Sequence, residues 1–219
     1  MLIYAHRGAS QSFPENSLEA CAEAVRLGIP GAELDLHATS DGVPVVIHDA
    51  SLNRTAGIDA DVAKIPFSRL RELAPFVPRF AEVLDLVGDT LHFDLEVKQP
   101  GIEAIVLETL ANYPKARWSI SSFDWTILDV FREHDRLADL WLLSQAMSQD
   151  LIDRAREIGG SAAALFAPLI TKAVIQSAHD AGLKVMAWTV NDPARARELE
   201  RLGLDMLCTD APHLFAGQH

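Results

Sequence analysis

Two groups of acidic residues in this chain have the spacing of a metal site. Glu33 and Asp35 lie two positions apart in one apolar run. Asp94, Glu96 and Lys98 repeat that spacing in a later run. Residues two apart on a strand share a face, so ionised Glu33, Asp35 and Glu96 brought together would repel one another. A hard divalent cation, Mg²⁺ or Ca²⁺, would relieve that repulsion, whereas Zn²⁺ is less suited because no His/Cys ligand set accompanies the acids.

The same acids have a second interpretation that needs no metal. Glu33 and Asp35 could form interstrand salt bridges with Arg7 and Lys98. Arg7 itself also has two readings, because its planar guanidinium suits two phosphate oxygens but equally suits an ordinary surface ion pair.

Two histidines, His6 and His48, each end an extended apolar stretch. Beside a metal, such a pair can act as general acid and general base: one imidazole takes a proton from an attacking hydroxyl and the other protonates a leaving oxygen. Either histidine, taken alone, could instead be structural.

The elements that would position these residues alternate between short apolar runs and amphipathic segments of helical spacing. The short runs are 2–5, 32–36, 91–97, 117–121, 139–143, 162–166, 184–189 and 205–208. The helical segments are 17–27, 80–87, 102–113, 125–134, 149–158, 171–181 and 193–202. This alternation predicts parallel strands joined by helices, and eight units favour a (β/α)₈ TIM barrel. An open doubly wound sheet is the alternative, but the first strand–helix turn lacks the glycine-rich pattern typical of that fold.

A parallel barrel gathers the carboxyl ends of its strands, and therefore its active site, at one end. One irregularity follows the second strand: 43–47 is a further extended run, which predicts a hairpin that ends at His48. The stretch 49–79 has no clear periodicity and contains three prolines. We therefore predict one domain over 1–219, with a hairpin and loop insertion at about 40–79.

Composition narrows the choice of partners. The formal net charge is −12 at pH 7, which disfavours nucleic acid and anionic membrane surfaces. The chain has two cysteines and no apolar stretch of about 18 residues, and it opens without a signal-like segment. We expect a cytoplasmic protein without stable membrane insertion. The negative charge does not exclude a small phosphorylated substrate, provided that the acidic groups near the site hold a cation. The oligomeric state is left open.

Short motifs along nearly the whole chain resemble, in order, the glycerophosphodiester phosphodiesterase family. They are His6-Arg7-Gly8, Pro14-Glu15-Asn16-Ser17, Glu33-Leu34-Asp35, Asp41-Gly42, His48-Asp49, Arg54-Thr55, Leu95-Glu96 with Lys98, Trp188-Thr189-Val190-Asn191, and Thr209-Asp210. The resemblance implies a TIM barrel that uses a divalent metal to hydrolyse a glycerophosphodiester to glycerol 3-phosphate and an alcohol.

The resemblance also implies roles for nine residues. His6 and His48 become the acid–base pair, and Glu33, Asp35 and Glu96 the metal ligands. Arg7 and Lys98 would hold phosphate oxygens, Asn16 would orient the first-strand loop or the phosphate, and Trp188 would pack against the glycerol end. Ser17 replaces the usual threonine of the family, a change that keeps the hydroxyl.

Two other functions compete with this one. A phosphodiesterase of the lysophospholipase D type would use the same site on lysophospholipids, but it needs an apolar or membrane-facing surface at the barrel mouth. A barrel that only binds phosphorylated metabolites would be expected to have lost a histidine or a carboxylate of the set.

Overall fold

A computed structural model describes residues 1–217, and these residues form a closed parallel barrel. Its strands are β1 Leu2–His6, β2 Gly31–Ala38, β4 His92–Val97, β5 Arg117–Ser122, β6 Leu140–Ser144, β7 Ala162–Phe166, β8 Lys184–Trp188 and β9 Met206–Thr209. The strand order is β1-β9-β8-β7-β6-β5-β4-β2, and pairing of β1 with β2 closes the ring. The predicted (β/α)₈ TIM barrel is confirmed, and this closing pair excludes the open sheet. The remaining strand, β3 Pro44–Val46, pairs antiparallel with β2 as the outer arm of the predicted hairpin.

Seven of the nine α-helices within residues 1–217 lie close to the positions that the periodicity predicts, and the other two, Asn53–Ala56 and Phe67–Leu73, lie in the insertion. The helices are α1 Leu18–Arg26, α2 Asn53–Ala56, α3 Phe67–Leu73, α4 Phe80–Val87, α5 Glu103–Ala111, α6 Trp125–His134, α7 Gln149–Ile158, α8 Lys172–Asp180 and α9 Pro193–Arg201. Side-chain caps fix several starts: the Ser17 hydroxyl accepts a hydrogen bond from the Ala20 amide, and Asp192 accepts one from Ala194 ahead of α9. No helix within residues 1–217 combines the length and the apolar character needed to cross a bilayer.

Side chains that alternate along each strand point to opposite faces of the barrel wall, so the protein has one apolar core outside the barrel, under the helices, and another inside it. Leu34, Leu36, Leu95 and Val97 are fully buried in the layer between the barrel and its helices, as the two-residue period predicts. The alternate positions point into the barrel. Its interior is filled by Tyr4, Trp141, Leu143, Ala162, Ala164, Met186, Met206 and Cys208, in which alanines on β7 make room for the large rings.

The stretch after β3 is more regular than its sequence indicates. It contains α2, a 3₁₀ turn at Val62–Lys64 and α3, and it buries a small apolar cluster that includes Leu52, Val62 and Leu70. The expectation of an aperiodic loop over 49–79 was therefore wrong for α3. That helix has seven residues, too few turns to establish a periodic pattern in the sequence.

The amino ends of the strands are closed by hydrogen-bonded polar and aromatic side chains, which we call the lower network. Its members are Tyr4, His92, Ser119, Asp139, Trp141 and Ser161. The Ser119 hydroxyl lies 2.6 Å and the Trp141 Nε1 3.1 Å from Oδ2 of Asp139, and the Ser161 hydroxyl donates to Oδ1. Tyr4 Oη lies 3.1 Å from Nδ1 of His92, whose ring stacks on Trp141. These contacts indicate a structural role for His92.

Candidate active site

Three carboxylates meet at the carboxyl ends of β2 and β4. Strand register places Asp35 directly beside Glu96, and Glu33 points to the same side as Asp35. One oxygen from each of Glu33, Asp35 and Glu96 lies within 4.8 Å of the others. Glu33 and Asp35 are buried. The sequence-predicted cluster therefore comes together, as the two-residue spacing on paired strands requires.

The cluster is electrostatically strained. Burial, together with the nearby Asp35 and Glu96 charges, raises the pKa of Glu33 well above its usual value. Burial and the charge of Asp35 also raise the pKa of Glu96. Burial opposes ionisation of Asp35 as well, but the Lys98 and Arg7 charges outweigh it and lower the pKa of that carboxyl. Only Asp35 is thus well compensated by the side chains present.

The salt bridges of the second interpretation form in part. Arg7 Nε lies 3.2 Å from Asp35 Oδ2, and Lys98 Nζ lies 3.3 Å from Asp35 Oδ1 and 2.5 Å from Glu96 Oε1. Among the described residues, the Glu33 carboxylate forms no salt bridge with the Arg7 guanidinium or the Lys98 ammonium group. Its Oε2 accepts a 3.0 Å hydrogen bond from the backbone amide of Arg7. Two bases facing three acids leave an excess of negative charge.

That excess fits a divalent cation. Within residues 1–217, Glu33 Oε1 is a buried oxygen that accepts no hydrogen bond, and Asp35 Oδ1 accepts none either, although its ion-pair partner Lys98 Nζ lies 3.3 Å away. Buried acceptors without donors are costly, and a bound cation is one of the few groups that can satisfy them. The donors are carboxylate oxygens on separate strands, the ligands that Mg²⁺ and Ca²⁺ prefer. Glu33, Asp35 and Glu96 therefore suit the cation that the sequence predicts.

His6 lies at the end of β1, beside the carboxylates. Its Nε2 is 3.8 Å from Glu33 Oε2, and its Nδ1 is 2.6 Å from Asp210 Oδ1. Asp210 also accepts hydrogen bonds from Asn191 Nδ2 at 2.8 Å and from the Ser10 hydroxyl at 3.3 Å. Burial alone would raise the pKa of Asp210, but these hydrogen bonds outweigh it and lower the pKa to about 2. The Asp210 carboxylate thereby fixes the ring of His6 and leaves its Nε2 toward the acids.

His48 follows β3 and has a carboxylate partner of its own. Its Nδ1 lies 2.6 Å from Oδ1 of Asp49. Hydrogen bonds from Arg54 are the largest cause of a pKa of about 2 for Asp49. His37, on β2, places its Nε2 3.3 Å from the backbone carbonyl oxygen of His48 and is buried, which indicates a structural role.

The turn that presents Arg7 has an unusual backbone. Arg7 and Asn16 have φ of 55° and 59°, the left-handed region that non-glycine residues rarely occupy. Asn16 is buried, donates from Nδ2 to Asp35 Oδ2 at 2.8 Å, and donates its backbone amide to the Arg7 carbonyl. A Cβ at Gly8 would lie 2.7 Å from Ala20, so the turn packs tightly on α1. Asn16 thus ties the Arg7 turn to the carboxylate cluster.

A cavity of about 230 Å³ opens over this cluster. Leu143, Met186 and Cys208 contribute apolar surface to it. Trp188 stands at its side, with Phe123 edge-on and Phe166 tilted, each 5.5 Å away between ring centroids. The cavity therefore combines a charged side with an aromatic wall.

Seven of the nine sequence-predicted residues line this cavity: His6, Arg7, Glu33, His48, Glu96, Lys98 and Trp188. Asp35 and Asn16 lie directly behind them through the contacts given above. Sequence reasoning gave no role to Asp210 or to Phe123. Asp210 directly follows β9, so its position at the carboxyl end of a barrel strand is the signal that indicates it.

Asp94 shares the inward face of β4 with Glu96 but is not one of the three predicted ligands. It is buried and lines the same cavity, and burial raises its pKa to about 7. The carboxylate oxygens that converge within 4.8 Å of one another nevertheless belong to Glu33, Asp35 and Glu96, so Asp94 is a neighbour of the predicted ligand set rather than a member of it.

The fold and the acidic barrel mouth place this chain among the TIM-barrel enzymes. Residues 6–214 match the glycerophosphoryl diester phosphodiesterase family, and the chain belongs to that family. It is 29% identical over 230 residues to a glycerophosphodiester phosphodiesterase of Caldanaerobacter subterraneus subsp. tengcongensis, covering 96% of this chain and 94% of that protein. A glycerophosphodiester phosphodiesterase of Bacillus altitudinis is 30% identical over 232 residues, with the same coverage of 96% and 94%.

Solved structures give the same result. An Oleispira antarctica phosphodiesterase in complex with the product sn-glycerol-3-phosphate has a TM-score of 0.91 and 25% identity, covering 98% of this chain and 94% of that chain. A glycerophosphodiester phosphodiesterase of Thermotoga maritima has a TM-score of 0.89 and 27% identity, covering 100% and 98%.

Proposed function

We propose that this protein hydrolyses small glycerophosphodiesters to glycerol 3-phosphate and an alcohol. The observation that carries the proposal is the convergence of three carboxylates and two imidazoles on one cavity of a family-typical barrel. The glycerol 3-phosphate bound to the Oleispira antarctica relative supports a product of this size and charge.

The proposal includes a divalent cation, Mg²⁺ or Ca²⁺, held by Glu33, Asp35 and Glu96. When bound, such a cation offsets phosphate charge and lowers the pKa of a nearby hydroxyl or water. Arg7 and Lys98 would then hold phosphate oxygens. Both bases already lie within 3.3 Å of Asp35, so the phosphate would enter beside the acids.

His6 and His48 would carry the protons. Each Nδ1 is paired with an aspartate, which leaves each Nε2 for substrate. One imidazole would take a proton from the attacking hydroxyl, and the other would protonate the departing alkoxide. The attacking group is either the neighbouring glycerol hydroxyl, which gives a cyclic phosphate that water then opens, or water itself.

The aromatic wall is proposed to hold the glycerol end. Trp188 and its neighbours Phe123 and Phe166 present flat apolar surface beside charged groups, which suits the CH face of a small polyol. We further propose a cytoplasmic site of action, as the composition led us to expect.

Release of glycerol 3-phosphate tests the function directly. Glycerophosphocholine, glycerophosphoethanolamine and lysophosphatidylcholine are assayed with EDTA and after addition of Mg²⁺ or Ca²⁺. We expect glycerol 3-phosphate from the first two compounds, loss of this activity with EDTA and its recovery when metal is added. A His6→Ala, His48→Ala double variant is the control for a contaminating enzyme, and we expect it to release no product. Absence of product from both glycerophosphodiesters contradicts the proposal, and EDTA-insensitive turnover contradicts its metal part. Preferred cleavage of the lysolipid to free choline would favour the lysophospholipase D alternative.

A further inference from the structure

Arg54 lies in α2 of the insertion and joins two carboxylates with its planar fork. Its Nε donates to Asp49 Oδ2 at 2.6 Å, and its Nη2 reaches Asp49 Oδ1 at 3.3 Å. On the other side, Nη1 and Nη2 donate to Glu15 Oε2 and Oε1 at 3.0 and 2.6 Å. One guanidinium therefore makes two bidentate pairs, a geometry that only arginine provides.

Each of these carboxylates contacts a different part of the candidate active site. Asp49 accepts from Nδ1 of His48 through the same Oδ1 that Arg54 reaches. Glu15 accepts from Nη1 of Arg7 at 3.1 Å through the same Oε1 that Arg54 reaches. The path His48–Asp49–Arg54–Glu15–Arg7 is thus continuous, and it joins the hairpin to the turn after β1.

We propose, building on the function proposed above, that Arg54 is a positioning residue that holds His48 through Asp49 and Arg7 through Glu15. By this means the insertion sets the distance between a proton-transfer group and a phosphate-binding group. Arg54 itself lies outside the residues that line the cavity and touches no reacting atom.

The competing interpretation is an ordinary surface ion pair. The Arg54 side chain is 48% exposed, and exposed ion pairs usually contribute little to stability. The two interpretations differ in activity: a surface pair leaves turnover unchanged, whereas loss of a positioning contact misplaces His48 and costs roughly 10-fold or more in kcat/KM.

Arg54→Ala and Arg54→Lys are therefore compared with Arg69→Ala. Arg69 is an exposed arginine of the same insertion that pairs with Glu72 at 2.7 Å on α3. We expect thermal melting of all three variants to stay close to that of the original protein. We expect kcat/KM to fall roughly 10-fold in Arg54→Ala, to recover partly in Arg54→Lys, and to stay unchanged in Arg69→Ala.

A spectrum of the imidazole nitrogens separates positioning from a structural effect without substrate. In ¹⁵N-labelled protein, with His48 assigned by its loss in His48→Gln, Arg54→Ala should shift or broaden the His48 signals and leave those of His6 in place. Arg54→Lys gives the same comparison if the alanine variant does not fold. A His48 signal or a kcat/KM that stays at the original value in Arg54→Ala overturns the proposal. If the original protein hydrolyses no glycerophosphodiester, the proposed function fails, and the His48 signal alone decides whether Arg54 positions that ring.

A double-mutant cycle identifies the route. If Arg54 acts through Asp49, the kcat loss in Arg54→Ala, Asp49→Asn should be smaller than the product of the single losses. If the loss of kcat in the double variant equals the product of the two single losses, Arg54 does not act through Asp49. Glu15→Gln should raise KM rather than lower kcat, because it loosens the phosphate-binding Arg7; an unchanged KM would overturn the Glu15 route.

Discussion

At the amino ends of the barrel strands, Asp139 accepts hydrogen bonds from Ser119, Ser161 and Trp141. At the carboxyl ends, Glu33 has one buried oxygen that accepts none among the described residues. The contrast between satisfied and unsatisfied polar groups extends beyond Asp139 and Glu33. Buried side-chain nitrogen and oxygen atoms that lack a hydrogen-bond partner within residues 1–217 belong to Arg7, Glu33, Asp35, Thr55, Asp94, Ser121 and Trp188, and none belongs to the lower network.

The difference between the ends follows from what each end does. Folding selects satisfied polar groups, since an unpaired buried acceptor costs about 1–3 kcal/mol. A cluster that keeps such groups therefore sacrifices stability, which is typical of sites that bind a ligand. We infer that Asp139, at the amino (lower) end of the barrel, stabilises the fold. Glu33 and Glu96, at the carboxyl (upper) end, have raised pKa values and destabilise it in the absence of a cation.

The largest expected effect is at the two imidazoles of the upper end. His6→Ala and His48→Ala should each lower kcat about 10²-fold or more at little cost to folding. Steady-state kinetics with a thermal melt checks this. His179→Ala is the matched control, because His179 forms a similar pair with Asp205 at 2.8 Å away from the cavity. Turnover near the original value in a folded His6 or His48 variant would remove the acid–base assignment.

Glu33→Gln tests the sign of the stability effect at the upper end. The amide can still accept from the Arg7 backbone, but it removes a buried charge, so the protein in EDTA should melt higher, by about 2–4 °C per kcal/mol gained. Activity should fall roughly 100-fold, because a ligand matters at least as much as its outer-shell partners. Calorimetry and kinetics measure both. A lower melting temperature in EDTA would break the comparison.

Asp139→Ala makes the complementary change at the lower end. It removes three hydrogen bonds and should cost about 2 kcal/mol of unfolding free energy. The kcat at 25 °C should be unchanged, because none of these groups reaches the cavity. Urea unfolding followed by kinetics provides the measurement. Lost turnover in the folded variant would mean that the two ends are not independent.

Asp210 refines the comparison between the two ends of the barrel. It lies at the upper end, but its carboxylate has hydrogen-bond partners in His6, Ser10 and Asn191. Its pKa is lowered from the ordinary 3.8 to about 2, so its stabilising effect is complete above pH 3.8 and disappears as the pH falls through about 2. The melting temperature of Asp210→Asn should lie below that of the original protein at pH 6. The gap should narrow from pH 4 to 2.5. A gap that is constant or widens in acid would contradict the assigned hydrogen bonds.

Much of this arrangement could be predicted because strands have a simple period. The spacing of Glu33 to Asp35 and of Asp94 to Glu96 fixes a common inward face, and barrel closure brings the ends of β1, β2 and β4 together. The substrate class could not be predicted in this way; it came from the ordered motifs and from the family match.

What escaped prediction are contacts between distant segments. The His6–Asp210 pair spans 204 positions, and only the closed order of the strands makes them neighbours. Arg54 depends on the path of the insertion, where helices of four and seven residues are too short to give a periodic signal. Partners of this kind are set by tertiary structure rather than by local pattern.

The most direct test of the account is calorimetric titration of Mg²⁺ and of Ca²⁺ into EDTA-treated, dialysed protein, with Glu33→Gln and Glu96→Gln in parallel. The account predicts a single site per chain for at least one of the two ions, with affinity lost or strongly weakened in both variants. Absence of binding by either ion, or equal binding in the variants, would contradict it.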